Sequence, residues 1–238
     1  MISPYLAPGF YEKALAAGRH RDIVGGRWDE TGRIQMQILQ EAGMEPHHRL
    51  VDIGAGSMRL GCKAVPFLHP GHYWASDASL ALMQRGRAAE LPDPGRLPED
   101  HLIGDAAFAL PGLPPNIDFA IAFGVFTHLP EPVVAAALAS LRPRLGAVRA
   151  FLFTVFLRPS ESSGAFRQAD GVVTHDTRPP YHLPEARLLA LTAAAGWKAQ
   201  RHKVLLPRGQ ALFIALPDPA APGANQTATS DHNSPQAL

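Results

Sequence analysis

Short apolar runs alternate with segments of helical hydrophobic spacing through the middle of the chain. The apolar runs predict buried strands at 49–53, 72–77, 102–104, 117–124 and 147–157. Between them, apolar residues recur every three or four positions, which predicts helices at about 58–68, 79–91 and 130–142. Strands that alternate with helices in this way indicate an α/β protein built on a parallel sheet.

The C-terminal part of the pattern ends in a different arrangement. A helix predicted at 184–196 ends at Gly196, and two strands at 197–206 and 210–216 are joined by the short turn PRG, which indicates a hairpin. We therefore expect a Rossmann-like α/β fold. Its seven-stranded sheet would be mostly parallel with an antiparallel C-terminal hairpin strand, and helices would cover both faces. This ending differs from the sheet of dinucleotide-binding dehydrogenases.

The same pattern divides the chain into three regions. Residues 1–45 precede the first strand and contain a helix predicted at 29–42, so we expect an N-terminal helical cap or lid. Residues 46–216 form the predicted α/β domain. Residues 217–238 contain almost no large apolar side chains, which predicts a disordered tail.

Composition and charge narrow the choice of partner and compartment. The 238 residues carry a formal net charge of +1 and are 46% hydrophobic, so we expect a small-molecule substrate and no nucleic acid. Cys62 is the only cysteine and no group of residues has a metal-binding spacing, so we expect neither a disulfide nor a metal site. The chain lacks a signal-peptide pattern and any run near the roughly 20 apolar residues of a membrane span, which predicts a cytoplasmic protein with no membrane partner.

The stretch VDIGAGSMRLG (51–61) joins the first predicted strand to the first predicted helix. Gly54 and Gly56 allow the backbone to turn sharply and to approach a ligand closely. The dinucleotide fingerprint requires a third glycine five residues after the first, and Arg59 occupies that position. This departure disfavours NAD as the ligand.

Acidic residues accompany three successive predicted strands. Asp52 lies in the first strand, Asp77 ends the second and Asp105 follows the third. Carboxyl ends of parallel strands meet at one edge of a sheet, where a carboxylate can accept both ribose hydroxyls of an adenosine-bearing ligand. Each acid also has a purely structural interpretation: Asp52 as a cap of the turn, Asp77 as a helix N-cap and Asp105 as a turn residue.

Together these motifs resemble those of class I S-adenosylmethionine (SAM)-dependent methyltransferases. The resemblance rests on VDIGAGSMRLG, YWASDAS, GDAAFALPGLPPNIDFAIAFGVFTHLP and the C-terminal hairpin, and it covers roughly residues 49–216. The segment RHRDIVGGRWDETGR (19–33) is also similar to the leader of some bacterial members. Trp28 in this segment either stacks over the ligand or anchors the N-terminal helix.

The resemblance implies SAM as the cofactor and a role for individual residues. Ala55 departs mildly from many relatives, which carry cysteine there. The implied contacts are Asp52, Gly54, Ala55 and Gly56 for the methionine end, Asp77 for the ribose, Asp105 and Ala106 for the adenine, and Phe123 and Gly124 beside the sulfonium.

Candidate catalytic groups lie in two places. His128 in FTHLP is a candidate base, although a polar residue just before a helix also fits a structural role. The polar stretch 158–182 is predicted as a loop, and its side chains could orient an acceptor, accept its proton or simply lie exposed. The candidates within it are His175, Asp176, Tyr181 and His182.

Three functions fit these residues. The first is methylation of a small-molecule acceptor by in-line SN2 transfer from SAM. In the second, the amino nitrogen of SAM attacks its own γ carbon, which gives azetidine-2-carboxylate and methylthioadenosine inside a lid to which Trp28, Thr154 and Tyr181 could belong. The third is a non-catalytic SAM-binding protein, which the intact Asp52 and Asp77 and the paired glycines disfavour.

Overall fold

The computed structural model describes residues 9–160, 163–204 and 206–220. Six α-helices lie within these ranges: α1 (Phe10–Ala16), α2 (Trp28–Glu41), α3 (Gly61–Phe67), α4 (Leu80–Glu90), α5 (Glu131–Arg144) and α6 (Glu185–Ala194). The strands in the same ranges are β1 (Leu50–Ile53), β2 (Tyr73–Asp77), β3 (Leu102–Gly104), β4 (Phe119–Ala122), β5 (Ala150–Arg158), β6 (Phe166–Arg167), β7 (Val173–Thr174), β8 (His182–Pro184), β9 (Trp197–His202) and β10 (Ala211–Pro217).

One sheet organises the described residues. Its main path has the order β3-β2-β1-β4-β5-β10-β9, in which the first five strands are parallel and β10 is antiparallel to both of its neighbours. The predicted seven-stranded, mostly parallel sheet with an antiparallel C-terminal hairpin is thereby confirmed. The far end of β5 also pairs in parallel with the short strand β8, which the sequence did not predict.

Helices cover both faces of this sheet because its central strands are apolar on both sides. Leu50 and Leu152 belong to a buried cluster with α2, α3 and α4. Their neighbours Val51 and Phe151 belong to a second cluster with α5 and α6. Side chains alternate across a strand, so successive residues of β1 and β5 serve opposite cores. This double burial fixes the strand ends whose loops form the cavity described below.

The polar stretch predicted as a loop contains regular structure. Strands β6 and β7 form a small antiparallel hairpin within it, and β8 extends the main sheet. Gln168 is buried there and donates from Nε2 to the hydroxyl of Thr174 at 2.9 Å, and that hydroxyl lies 2.7 Å from His182 Nδ1. Part of the stretch is therefore held together by buried, hydrogen-bonded polar side chains. These strands do not alternate between apolar and polar residues, so the hydrophobic pattern could not predict them.

The helix before the first strand and the last strand lie close to their predicted bounds. α2 begins and ends one residue earlier than the predicted helix 29–42. Strand β10 continues through Pro217, and the Asp218 N–H donates to the Gly196 carbonyl at 2.9 Å, so the predicted tail begins with packed residues. Residues 221–238, the rest of that tail, lie outside the described residues. No helix in the described ranges is both long and apolar enough to cross a bilayer.

Candidate active site

A cavity of about 310 Å³ lies at the carboxyl edge of the parallel strands. Its walls come from the ends of β1 to β4, from α2, from the turn before β10 and from Ile23, Val24 and Gly25. These three residues belong to the segment 20–27, here called the strap. Strand ends of a parallel sheet are the usual ligand site in open α/β folds. The sequence-predicted residues that line the cavity are Asp52, Gly54, Ala55, Gly56, Asp77, Asp105, Ala106, Phe123, Gly124 and His128.

Other predicted residues lie elsewhere, and several lining residues were not predicted. Trp28 lies outside the lining, with the Arg21 guanidinium 5.0 Å above its ring. His175, Asp176, Tyr181 and His182 are also not lining residues, so their catalytic roles stay predictions. The lining also includes side chains to which the sequence assigned no binding role, among them Tyr11, Thr31, Gln35, Arg59, Arg208 and Gln210.

The glycine turn requires glycine at two positions. Gly54 and Gly56 have φ angles of 75° and 55°, which L-residues with side chains rarely adopt. A Cβ on Gly54 would lie 2.4 Å from a methyl of Val125, and one on Gly56 would lie 2.6 Å from a methyl of Val24. The backbone of the turn therefore packs directly against two apolar residues of the cavity wall.

Asp77 joins the end of β2 to the glycine turn. Its Oδ2 accepts from the Gly56 N–H at 3.0 Å and its Oδ1 accepts from the Ser79 N–H at 2.9 Å. Burial raises the pKa of this carboxyl, and the two N–H groups act in the opposite direction. Ser79, not Asp77, is the N-cap of α4. Each carboxylate oxygen can accept a second hydrogen bond, so both can receive a hydroxyl from a ligand.

Asp105 holds the loop that follows β3. Its Oδ1 accepts from the Ala107 N–H at 2.7 Å and its Oδ2 accepts from the Leu110 N–H at 2.8 Å. The structural interpretation of this acid is therefore correct. The loop it shapes also carries Ala106 into the cavity wall, so the structural role and a binding role are compatible.

Asp52 lies on the cavity wall yet is almost fully buried. Its Oδ2 accepts from the Tyr73 hydroxyl at 2.6 Å, so this oxygen bonds to another side chain and does not support the alternative interpretation of Asp52 as a cap of the turn. Burial raises the pKa of Asp52 to about 7, against the opposing effects of the Tyr73 hydrogen bond and the Arg59 charge. A carboxyl with this pKa changes its charge near neutral pH.

The strap is held over the cavity by arginines from distant segments. Arg59 Nη1 donates to the carbonyls of Val24 at 2.6 Å and Gly26 at 3.3 Å. Arg208, in the turn before β10, donates to the Gly25 carbonyl. Arg59, which occupies the position where the dinucleotide fingerprint requires glycine, thus contacts the strap. Arg59 and Arg208 were both missed as functional residues.

The start of the strap is fixed to the end of α4. Glu90 accepts a bidentate pair from Arg21, at 2.8 Å from Nε and 2.6 Å from Nη2. His20 Nε2 lies 2.7 Å from the same carboxylate. These contacts, led by the Arg21 hydrogen bond, lower the pKa of Glu90. Planar bidentate pairs of this kind give geometric specificity, so they position the chain entering the strap.

His128 and Gln210 are polar residues of the cavity wall. Burial, with the nearby Arg208 charge, lowers the pKa of His128 to about 4. The imidazole is therefore neutral at pH 7 and a weak base. The Gly124 N–H donates to the Thr154 hydroxyl at 2.7 Å, and that hydroxyl donates to Gln210 Oε1 at 2.6 Å. These hydrogen bonds fix the turn after β4 and occupy the amide oxygen of Gln210.

Arg208→Ala is expected to loosen the strap. The change removes the guanidinium bonded to Gly25 but keeps the residue 208 N–H that donates to Asp170. One such bond contributes about 0.5–1.5 kcal/mol, so the open population should rise about two- to tenfold. Trypsin should then cleave after Arg21 and Arg27 faster by that factor.

Arg201→Ala is the matched control for this experiment. Arg201 lies on β9 and forms an exposed ion pair with Glu185, away from the cavity. Exposed pairs contribute little to stability, so the control should be cleaved at the wild-type rate. Equal rates for the Arg208 variant and this control would mean that Arg208 does not hold the strap.

Among the described residues, no group of three or more His, Cys, Asp or Glu side chains could hold a metal ion. The cavity instead offers backbone turns, carboxylates and apolar surface. The apolar side is formed by Phe108, Val125, Leu129 and Val133. This combination suits an organic ligand with hydroxyl groups and an apolar portion.

Comparison with known proteins supports this description of the fold. No protein-family model and no curated protein matches the sequence. Among solved structures, magnesium protoporphyrin IX methyltransferase from Synechocystis PCC 6803 with bound SAM is 17% identical, with a TM-score of 0.55 over 79% of this chain and 78% of that chain. A SAM-bound amino pentose methyltransferase from Micromonospora echinaspora is 19% identical, with a TM-score of 0.56 over 85% and 95% of the two chains.

A third similar structure differs in activity. The cyclase SpnF is 17% identical, with a TM-score of 0.51 over 71% of this chain and 59% of that chain. At such identities the likeness is one of fold, and function has to be argued from the site.

Proposed function

Since the chain has the class I SAM-dependent methyltransferase fold, we propose that it transfers the methyl group of SAM to a small-molecule acceptor. The observation that carries the proposal is the convergence of Asp52, Asp77 and Asp105, at or just after the ends of three adjacent parallel strands, on one cavity that contains the glycine turn. Two of the similar methyltransferases were solved with SAM bound, which supports the choice of cofactor.

The residues of the cavity fit SAM part by part. Asp77 has lone pairs available for the two ribose hydroxyls, since one backbone N–H donates to each of its oxygens and a carboxylate oxygen can accept a second hydrogen bond. Ala106 and the loop shaped by Asp105 would border the adenine. The turn at Gly54 and Gly56 leaves backbone close to the cavity, where the methionine end would lie.

When bound, SAM supplies a methyl group activated by a positively charged sulfur. The chain's own residues then have to orient the acceptor and exclude water. The strap closes one side of the cavity, and Phe108, Leu129 and Val133 give the other side an apolar surface for the acceptor's carbon skeleton. Arg208, in the turn before β10, holds the strap by its bond to the Gly25 carbonyl. Positioning of two reactants in this way is the main contribution that the protein needs to make.

His128 would orient the acceptor and would not be its principal base. A neutral imidazole with a pKa of about 4 is too weak a base to take a proton efficiently at pH 7. The uncharged imidazole would add a polar surface to the cavity wall, against which the acceptor is oriented. An acceptor that is already nucleophilic at neutral pH, such as a weakly basic amine or an acidic hydroxyl, therefore fits this site best.

Cyclisation of SAM to azetidine-2-carboxylate is not favoured. It requires a lid of aromatic and hydroxyl groups around the methionine tail. Trp28 instead packs under Arg21, the Thr154 hydroxyl is engaged with Gly124 and Gln210, and Tyr181 does not line the cavity. The three groups named for that lid are thus not assembled at one place.

Product analysis with SAM tests both reactions. The purified protein would be incubated with SAM bearing a deuterated methyl group, first alone and then with a cell extract of small molecules, and the products separated by mass spectrometry. We expect S-adenosylhomocysteine and a deuterated extract metabolite. Methylthioadenosine with a cyclic amino acid from SAM alone would overturn methyl transfer in favour of cyclisation.

Two aspartate variants make this experiment specific. Asp77→Asn replaces one acceptor oxygen of the cavity carboxylate by a donor, so it should abolish both product formation and SAM binding measured by calorimetry. Asp100→Asn makes the same chemical change at an exposed position outside the cavity and should behave as wild type. A wild-type protein that binds no SAM in calorimetry would refute the proposed cofactor and with it the proposed reaction.

A further inference from the structure

Gln35 is a buried polar residue whose carbonyl oxygen has no partner. It lies in α2, is 4% exposed and lines the cavity, and its Oε1 accepts no hydrogen bond from the described residues. A buried acceptor without a donor is unfavourable, and nearly all such groups in proteins are satisfied. An acceptor of this kind on a cavity wall is satisfied when a ligand donates to it.

The position of α2 places Gln35 at the glycine-turn end of the cavity. α2 packs closely on the start of α3, since a Cβ on Gly32 would lie 2.8 Å from the Arg59 carbonyl oxygen. Thr31, one helical turn before Gln35, also lines the cavity, so this face of α2 is turned towards the ligand. Arg59 and Asp52 line the cavity as well and give this end of it charges of both signs.

The chemistry of this end suits an amino-acid group. An amide oxygen is a neutral acceptor, and an ammonium group brings three donors. Arg59 carries a positive charge that suits a carboxylate on the same ligand. We propose that Gln35 Oε1 accepts a hydrogen bond from the α-ammonium group of SAM and so selects a ligand that carries an intact amino-acid end. This inference rests on the proposed function, which places the methionine end beside the glycine turn.

A cycle of protein and ligand changes tests the proposal. Calorimetry would compare S-adenosylhomocysteine with its analogue lacking the α-amino group, on wild type and on Gln35→Leu, with no acceptor present. We expect wild type to bind S-adenosylhomocysteine about ten- to a hundredfold more tightly than the analogue, as for a hydrogen bond to a charged group. Gln35→Leu should bind the two ligands with affinities within about threefold of each other.

Two further variants separate recognition from damage to the fold. Gln35→Glu keeps an acceptor at the same place and should retain the preference for the amino group. This comparison also serves if the leucine variant does not fold. Gln40→Leu makes the same substitution at an exposed position of α2 and should leave both affinities unchanged.

Each outcome decides for or against the proposal. Loss of affinity for both ligands by the same factor in Gln35→Leu would show that Gln35 does not contact the amino group. If Gln35→Leu still prefers S-adenosylhomocysteine over the analogue as strongly as wild type does, the proposal is overturned as well. This result is expected if Gln35 binds an amine of the acceptor and not the amino group of SAM. Failure of wild type to bind S-adenosylhomocysteine would reject the proposed function itself, a result distinct from both.

Discussion

Asp52→Asn is expected to stabilise the fold by about 2–4 kcal/mol above pH 7, although it changes a residue of the candidate active site. Asp52 is 3% exposed, and burial raises its pKa from 3.8 to about 7. Each unit of difference between the folded and unfolded pKa corresponds to about 1.4 kcal/mol. The amide keeps an oxygen that can accept from the Tyr73 hydroxyl but carries no charge, so it avoids the penalty for a buried anion.

The sign of this effect fixes its pH dependence. Between pH 4 and pH 7 the folded chain binds more protons at Asp52 than the unfolded chain does, so the Asp52 contribution lowers the free energy of unfolding as the pH rises. The penalty is complete above the folded pKa of about 7 and absent below about pH 4. Asparagine does not titrate, so its contribution to the free energy of unfolding does not change with pH. The stability difference between variant and wild type should therefore grow as the pH rises through this window.

Urea unfolding at several pH values between 5 and 8.5 measures that difference. Asp100→Asn, an exposed change of the same kind, is the control and should have a stability close to that of wild type. A constant difference at all pH values would mean that Asp52 titrates normally, and a less stable variant at pH 8.5 would mean that its charge is compensated. Asp52 lowers the stability of the fold and yet lies on the wall of the candidate active site. Residues that are needed for function commonly have this kind of cost in stability.

The sequence located the glycine turn and the acids because their signals are local. Gly54 and Gly56 are needed for backbone angles that few other residues adopt, and Asp77 and Asp105 follow apolar runs that can only be buried strands. Parallel strands then bring these positions to one edge, whatever the rest of the chain does. The sequence therefore predicted correctly that these residues lie at one cavity. Their roles in ligand binding are not tested by the structure and stay predictions.

The strap contacts could not be predicted because they join segments far apart in the chain. Arg208 and Gly25 are separated by 183 positions, and neither the leader-like segment that contains Gly25 nor the turn PRG that contains Arg208 indicates a contact between them. Arg59 was noted only as the absence of a glycine. A side chain–backbone contact of this kind depends on the packing of the whole domain and leaves no periodic signal.

The partner of Asp52 was closer to prediction. Asp52 pairs with Ala75 in the register of β1 and β2, and Tyr73 lies two residues before Ala75 on the same face. Diagonal neighbours of this kind reach one another when one side chain is long and aromatic. The register of the two parallel strands would therefore have been enough to propose this buried pair, but the apolar pattern does not give that register. The Tyr73 hydroxyl, in a strand that is otherwise mostly apolar, was the sequence feature that indicated a buried polar partner.

Gly86→Ala is expected to destabilise the fold by about 2–3 kcal/mol, opposite to the effect that helix propensity alone would give. Gly86 is a buried residue in the middle of α4, where alanine normally gains about 1 kcal/mol over glycine. Here a Cβ would lie 2.4 Å from the carbonyl carbon and oxygen of Ser57. These are backbone atoms, so no change of rotamer relieves the overlap, and α4 has to move away from the glycine turn.

The consequences of that movement distinguish it from a simple loss of packing. Ser57 follows Gly56, whose N–H donates to Asp77, so displacement of this backbone should also weaken SAM binding. Chemical unfolding and calorimetry of Gly86→Ala would measure both effects. Gly146→Ala is the control, because a Cβ at this exposed position has no neighbour closer than 3.5 Å, and we expect a change within about 1 kcal/mol. A Gly86→Ala protein as stable as wild type would show that α4 does not need this close approach to hold the turn.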